Sequence, residues 1–225
     1  NGSLNSACTY SCRIFTKSLR STQSKWFFTH HGIADDPRLF TSSVEYESPL
    51  GGGKIKGLLA KPANFQGKLP AVVVVHENRG LNPYIEDVAR RLAVEGFLVL
   101  APDALSPLGG YPGNDDDGRT LQRKRDRNEM LEDFIAAYDY LKQHKECSGK
   151  VGVVGFCFGG LLAWLAACQL QKVSCAVSYY GGGVASEMGQ TPSVPIMFHF
   201  AAEDAHISMD DVAVVEKAQP DAPLF

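Results

Sequence analysis

Between the apolar run Val151-Gly-Val-Val-Gly-Phe156 and a nearly all-apolar stretch from Leu161 to Cys168, the sequence sets a thiol in the pentapeptide Gly155-Phe156-Cys157-Phe158-Gly159. A nucleophile with glycine two residues to either side, where a strand runs into a helix, is the G-x-S-x-G elbow with Cys in place of Ser. So sharp a turn leaves no room for side chains at the flanking positions. A residue there also stands at a helix N-terminus, where the dipole and free N–H groups are expected to lower a thiol pKa and to stabilise an oxyanion, Phe158 N–H being one donor. The plainer reading makes Cys157 a small buried hydrophobe whose glycines allow close helix–sheet packing.

Two further places carry chemistry. Ala71-Val-Val-Val-Val75 ends in the polar run His76-Glu77-Asn78-Arg79-Gly80, where Glu77 could be a solvated carboxylate at a strand end. The residue four after His76 is Gly80, so the H-E-x-x-H zinc pattern fails. After Pro195 to Ala201 comes Ala202-Glu203-Asp204, in which Asp204 could make a turn. Asp115-Asp116-Asp117-Gly118 lacks the alternating ligands of a calcium loop and reads as a solvated turn. No metal and no cofactor are expected. Cys147, Cys168 and Cys175 stand at no such turn and read as packing or surface residues.

These residues need a scaffold, and the periodicity supplies one. Val44-Glu45-Tyr46 and Ile55 to Leu59, split by Gly51-Gly52-Gly53, predict an antiparallel hairpin. Ala71 to Val75, Phe97 to Ala101, Lys150 to Phe156, Cys175 to Tyr180 and Pro195 to Ala201 predict strands of a sheet covered on both faces. Ile85 to Glu95, Met130 to Gln143 and Leu161 to Cys168 predict helices, with a Gly/Pro/Asp-rich loop from Leu105 to Gly118. Alternating strands and helices imply a mostly parallel sheet with helices on both faces.

A chain of 225 residues with 44% hydrophobic and 21% charged residues is expected to form one soluble domain, over residues 35–225. A net charge of −3 without a basic stripe argues against nucleic acid and an anionic membrane, and no run of about 18 apolar residues spans a bilayer. The partner expected is a small molecule. Six sparse cysteines without a C-x-x-C pair read as reduced thiols, consistent with a cytoplasmic location. Residues 1–34 hold Arg13, Lys17, Arg20 and Lys25 and no acid, so they are expected to be a poorly ordered segment, either targeting to an organelle or a non-native extension.

Taken together, Val72-Val-Val-Val-His-Glu-Asn-Arg-Gly-Leu81, Ala101-Pro-Asp103, Gly149-Lys-Val-Gly-Val-Val-Gly-Phe-Cys-Phe-Gly-Gly160 and Ala202-Glu-Asp204 resemble the dienelactone hydrolases (carboxymethylenebutenolidases), over Asp36 to Phe225. The resemblance implies an α/β-hydrolase fold and a hydrolase that opens an ester or lactone through a cysteinyl acyl-enzyme. It assigns Cys157 as nucleophile, Asp204 as the triad acid and Glu77 as the carboxylate that takes the thiol proton. Asn78 N–H would be the second oxyanion donor beside Phe158, and Arg79 a cation for substrate binding.

Two departures qualify these expectations. The family's triad histidine stands further beyond the aspartate than this sequence runs, and His206, two positions after Asp204, springs from the same short loop. His199 alternates with Phe198 and Phe200 as a buried-strand residue would, and His76 adjoins Glu77. The fold is accordingly expected without its last strand and helix, with Pro195 to Ala201 at the sheet edge, and the alternative function is an inactive fragment or pseudoenzyme. Where the family has an arginine after Phe97 to Ala101, Leu105-Ser106-Pro107 argues against dienelactone itself as substrate.

Overall fold

The computed structural model describes residues 35–170 and 173–225, so the expectations for residues 1–34, with Cys8 and Cys12, lie outside the described residues. The hairpin is longer than the sequence pattern suggested: β1 (Leu39–Ser48) pairs antiparallel with β2 (Gly53–Pro62) along ten residue pairs. Its turn ends at Gly53, whose φ of 78° lies in the left-handed region that favours glycine.

β3 (Leu69–Val75) shows why a continuous valine run makes a central strand. Side chains alternate across the sheet. Val73 and Val75 therefore enter one core cluster, and Val72 and Val74 enter the other, all of them at 1% exposure or less. Helix α1 (Pro83–Val94) covers the second cluster with Ile85, Val88, Ala89 and Leu92. It begins where Asn82 accepts the Ile85 N–H and Pro83 takes the first turn, where a missing N–H costs nothing. β4 (Leu98–Asp103) is buried throughout.

α3 (Arg127–Gln143), β5 (Cys147–Phe156), α4 (Phe158–Gln169), β6 (Ala176–Tyr179) and β7 (Ile196–His199) complete the predicted alternation. The strand order is β1-β2-β4-β3-β5-β6-β7, antiparallel through β4 and parallel from β4 onward. α3 and α4 lie on the face opposite α1, contributing Phe134, Tyr138, Leu162 and Trp164 to the first cluster.

One expectation is corrected. The run 115–118 is no loop turn but the start of α2 (Asp115–Gln122), because Asn114 caps the Asp117 N–H and three aspartates suit the positive end of a helix dipole. The chain after Asp204 is helical, since α5 (Met209–Ala218) opens with a capping box between Ser208 and Asp211. β7 is the last strand of the sheet order, and beyond it Leu224 forms an isolated parallel bridge with Phe198, whose N–H donates to the Pro223 carbonyl (2.9 Å) and whose carbonyl accepts the Phe225 N–H (3.1 Å). Among the described residues no helix is long and apolar enough to cross a membrane.

Candidate active site

At the C-terminal end of β5 the chain reverses into α4 at Cys157, with φ 54° and ψ −114°. A non-glycine residue with positive φ costs of order 1–3 kcal/mol and persists only where its surroundings over-determine it. Here the Cys157 N–H donates to the Tyr179 carbonyl at 3.0 Å, and the Cys157 carbonyl accepts the Gly160 N–H at 2.9 Å. The glycines do the steric work anticipated for them. A β-carbon on Gly155 would fall inside the Gly159 carbonyl, one on Gly159 would overlap the Val75 carbonyl, and one on Gly160 would lie 2.6 Å from the Tyr179 carbonyl.

The thiol departs from expectation in one respect: its pKa lies above the ordinary thiol value. Burial is the largest cause, and the Glu77 and Asp204 carboxylates push in the same direction. The Phe158 N–H, bonded to the cysteine, and the Arg79 guanidinium oppose them. The helix N-terminus does favour the thiolate, but desolvation outweighs it. Cys157, Phe158, Glu77, Arg79 and Asp204 are thus brought together at one end of the sheet.

Glu77 is half-buried and accepts the Tyr180 hydroxyl at 3.4 Å. Tyr180 has φ 38° and also hydrogen-bonds Tyr84. Burial, then the Glu77 charge, holds its phenol far above the usual range, so it remains a donor. Neither tyrosine stood out in the sequence, although Tyr179-Tyr180-Gly181-Gly182-Gly183 at a strand end was a usable signal.

Asn78 is exposed on the loop after Glu77. Arg79 is committed rather than free: it donates to Asp115 at 2.8 Å, and that carboxylate also accepts Tyr111 Oη at 3.0 Å and Asn82 Nδ2 at 3.3 Å. The guanidinium and these donors hold the Asp115 carboxyl below its usual range. Asp204 spends Oδ1 on its own turn, accepting the N–H groups of His206 (2.7 Å) and Ile207 (3.2 Å). Asp204 therefore makes the turn, and its charge also reaches the thiol.

The histidines take other places. His76 is fully buried among backbone groups, His144 lies beside Glu146, and His199 stacks on Tyr179 with ring centroids 4.3 Å apart. His206 is exposed and lines a small cavity of about 90 Å³ between Gly181, Phe200 and α5. Among the described residues no group of three or more His, Cys, Asp or Glu could hold a metal ion.

A nucleophile elbow at the C-terminal end of a mostly parallel sheet, with helices on both faces, defines the α/β-hydrolase class. Within that class, residues 55–222 match the dienelactone hydrolase family model, and the chain belongs to that family. It is 32% identical over 177 residues to a carboxymethylenebutenolidase of Pseudomonas sp. (strain P51), covering 75% of this chain and 73% of that protein. Protein usf of Aquifex pyrophilus is 34% identical over 183 residues, covering 77% and 76%. Among the curated relatives, the match takes in from 57% to 79% of the relative's length. The fold is shared with the dienelactone hydrolase-like promiscuous phosphotriesterase P91 from metagenomic libraries, with a TM-score of 0.68 at 24% identity over 84% of this chain and 82% of that one.

Proposed function

We propose that this chain is a hydrolase that cleaves a small ester or lactone through an acyl-enzyme on Cys157. The observation that carries the reading is the strained elbow, which holds the Cys157 thiol against the Phe158 N–H and within the field of the Glu77 carboxylate. In the resting state the thiol stays protonated beside a half-buried carboxylate. When a carbonyl arrives, Glu77 takes the proton and sulfur attacks the carbonyl carbon, forming the S–C bond as the C=O pair moves to oxygen. Phe158 N–H and Asn78 N–H receive that oxyanion. Collapse expels the alkoxide, which picks up a proton, and water then cleaves the thioester. Asp204, whose charge acts on the thiol, is the family's triad acid by resemblance and would orient a base in that last step. Arg79, held by Asp115, contributes a positive field at the mouth rather than an open carboxylate clamp. Nucleic acid and membranes have no part in this reading, and its setting is the cytoplasm.

A second reading is favoured by one observation. The charged groups acting on Cys157 are Glu77, Arg79 and Asp204, while His76, His144 and His199 are engaged elsewhere. Such a chain would at most bind a small acyl compound, without turnover or an acyl-enzyme, as an inactive fragment or pseudoenzyme would.

Incubation with p-nitrophenyl acetate, with p-nitrophenol release followed beside intact mass and a Cys157→Ala control, separates the readings. Release that persists with a transient Cys157-dependent adduct supports the hydrolase. An adduct that accumulates means that the elbow works and deacylation is the defect, and no Cys157-dependent adduct supports the second reading.

A further inference from the structure

Two groups singled out by the sequence have no role in the reaction above: His76, and the aspartate of Ala101-Pro102-Asp103. Both are buried, His76 at 0% exposure and Asp103 at 7%. Both spend their polar atoms on backbone. The Ala104 N–H donates to His76 Nε2 at 3.1 Å, so Nε2 is the bare nitrogen and the ring proton sits on Nδ1, which donates to the Glu77 carbonyl at 2.5 Å. Asp103 Oδ1 accepts the Leu81 N–H (3.3 Å) and the Leu105 N–H (3.0 Å), and Oδ2 accepts the Tyr111 N–H (2.7 Å).

The loop after β3, residues 77–81, is therefore tied at both ends to the loop after β4. His76 holds its beginning at Glu77 and Asp103 holds its end at Leu81. Gly80, with φ 83°, permits the closeness, since a β-carbon there would lie 2.6 Å from Leu105 Cδ1 and 3.1 Å from Asp103 Oδ1. The far side of the tie is itself fixed. Arg125 donates to the Ala104 carbonyl and to Asp133, 2.9 Å away, and Asp133 accepts the Gly52 N–H at 2.7 Å. Asp133 is wholly buried, so this ion pair reaches from the hairpin turn through α3 to the Ala104 peptide.

We propose that His76 and Asp103 are positioning residues whose two-point clamp sets the Glu77 carboxylate and the Asn78 N–H in register with Cys157. The inference rests on the hydrolase reading and adds to it the residues that hold its proton acceptor and second oxyanion donor. Misplacing a reacting group by about 1 Å can cost 10²-fold in rate. The Ala104–His76 and Leu105–Asp103 bonds of this clamp are buried, so releasing either N–H would leave it unsatisfied.

The test compares two reactions of Cys157. Acylation by p-nitrophenyl acetate passes through an oxyanion, whereas alkylation by iodoacetamide is a direct displacement that forms none. Wild type is compared with Asp103→Ala, which removes the acceptor of the Leu81 N–H, and with His76→Phe and His76→Gln, each checked for folding by thermal melt. A positioning role predicts at least tenfold slower acylation in Asp103→Ala and His76→Phe with alkylation within about threefold of wild type. His76→Gln, which keeps one donor and one acceptor, should recover acylation at least fivefold over His76→Phe. Should one of the variants fail to fold, the other site still carries the comparison. Acylation and alkylation that fall in equal proportion, or that stay at wild-type rates, overturn the clamp while leaving the hydrolase reading standing. A wild-type chain that is alkylated but never acylated overturns the hydrolase reading and the clamp with it.

Discussion

The loops that follow β3 and β7 each bring one carboxylate to Cys157, and they are built in opposite ways. The 77–81 loop is held by side chains that are themselves buried and distant in sequence, with the Ala104–His76 bond spanning 28 residues and the Leu81–Asp103 bond spanning 22. The loop carrying Asp204 is exposed from residue 201 to 203, and Asp204 organises it with bonds only two and three residues away. A local turn of that kind forms from a short stretch of chain alone, as an Asx turn does. A clamp across two loops exists only once the sheet has assembled. The difference suggests that the thiol and its proton acceptor form one rigid unit, and that Asp204 sits on a separate and more adjustable piece.

That contrast can be broken most forcefully at the elbow. Gly155→Ala would drive a β-carbon into the Gly159 carbonyl, and a destabilisation of about 3 kcal/mol or more is expected in denaturant unfolding. A fully stable alanine variant would mean that the turn is softer than its φ angle implies.

The next largest effect is expected at the rigid loop. Glu77→Gln removes the proposed proton acceptor, and acylation of Cys157 should slow by roughly 10²-fold. Alkylation by iodoacetamide should move the other way. The Glu77 charge raises the thiol pKa, so its removal lowers that pKa and enlarges the thiolate fraction at neutral pH. Rates measured against pH should show the alkylation midpoint shifted downward. If both reactions slow together, Glu77 is supporting the structure rather than taking the proton.

At the adjustable loop the effects should be smaller. Asp204→Asn keeps an Oδ1 acceptor for the His206 and Ile207 N–H groups, so thermal stability should fall by less than about 1 kcal/mol. The Cys157 alkylation midpoint should again move down, by less than in Glu77→Gln, because Asp204 acts on the thiol more weakly than Glu77. A larger shift than that of Glu77→Gln would reverse the ranking of the two loops. Tyr180→Phe should have the least effect, removing a 3.4 Å bond to Glu77 and leaving acylation within roughly fivefold of wild type.

Much of this architecture was legible in the order of residues. A valine run must be a strand buried on both faces, and G-x-C-x-G between a strand and a helix admits few other conformations, so both read correctly from local pattern. The helix at 115–122 did not, because its first turn of aspartates resembles a loop until Asn114 is recognised as its cap. The hairpin's length and the pairing of Leu224 with Phe198 were equally hidden, since strand pairing depends on the partner and not on the strand.

By itself the sequence determined the elbow and the sheet's alternation, because these follow from side-chain size and period, whereas Glu77 and Asp204 were assigned through the resemblance to the dienelactone hydrolases. Only the tertiary structure decided that the Cys157 pKa rises, that Arg79 is held by Asp115, that Tyr180 meets Glu77, and that His76 faces backbone. Burial and long-range hydrogen bonds set those outcomes, and neither exists until residues far apart in the chain are packed against one another.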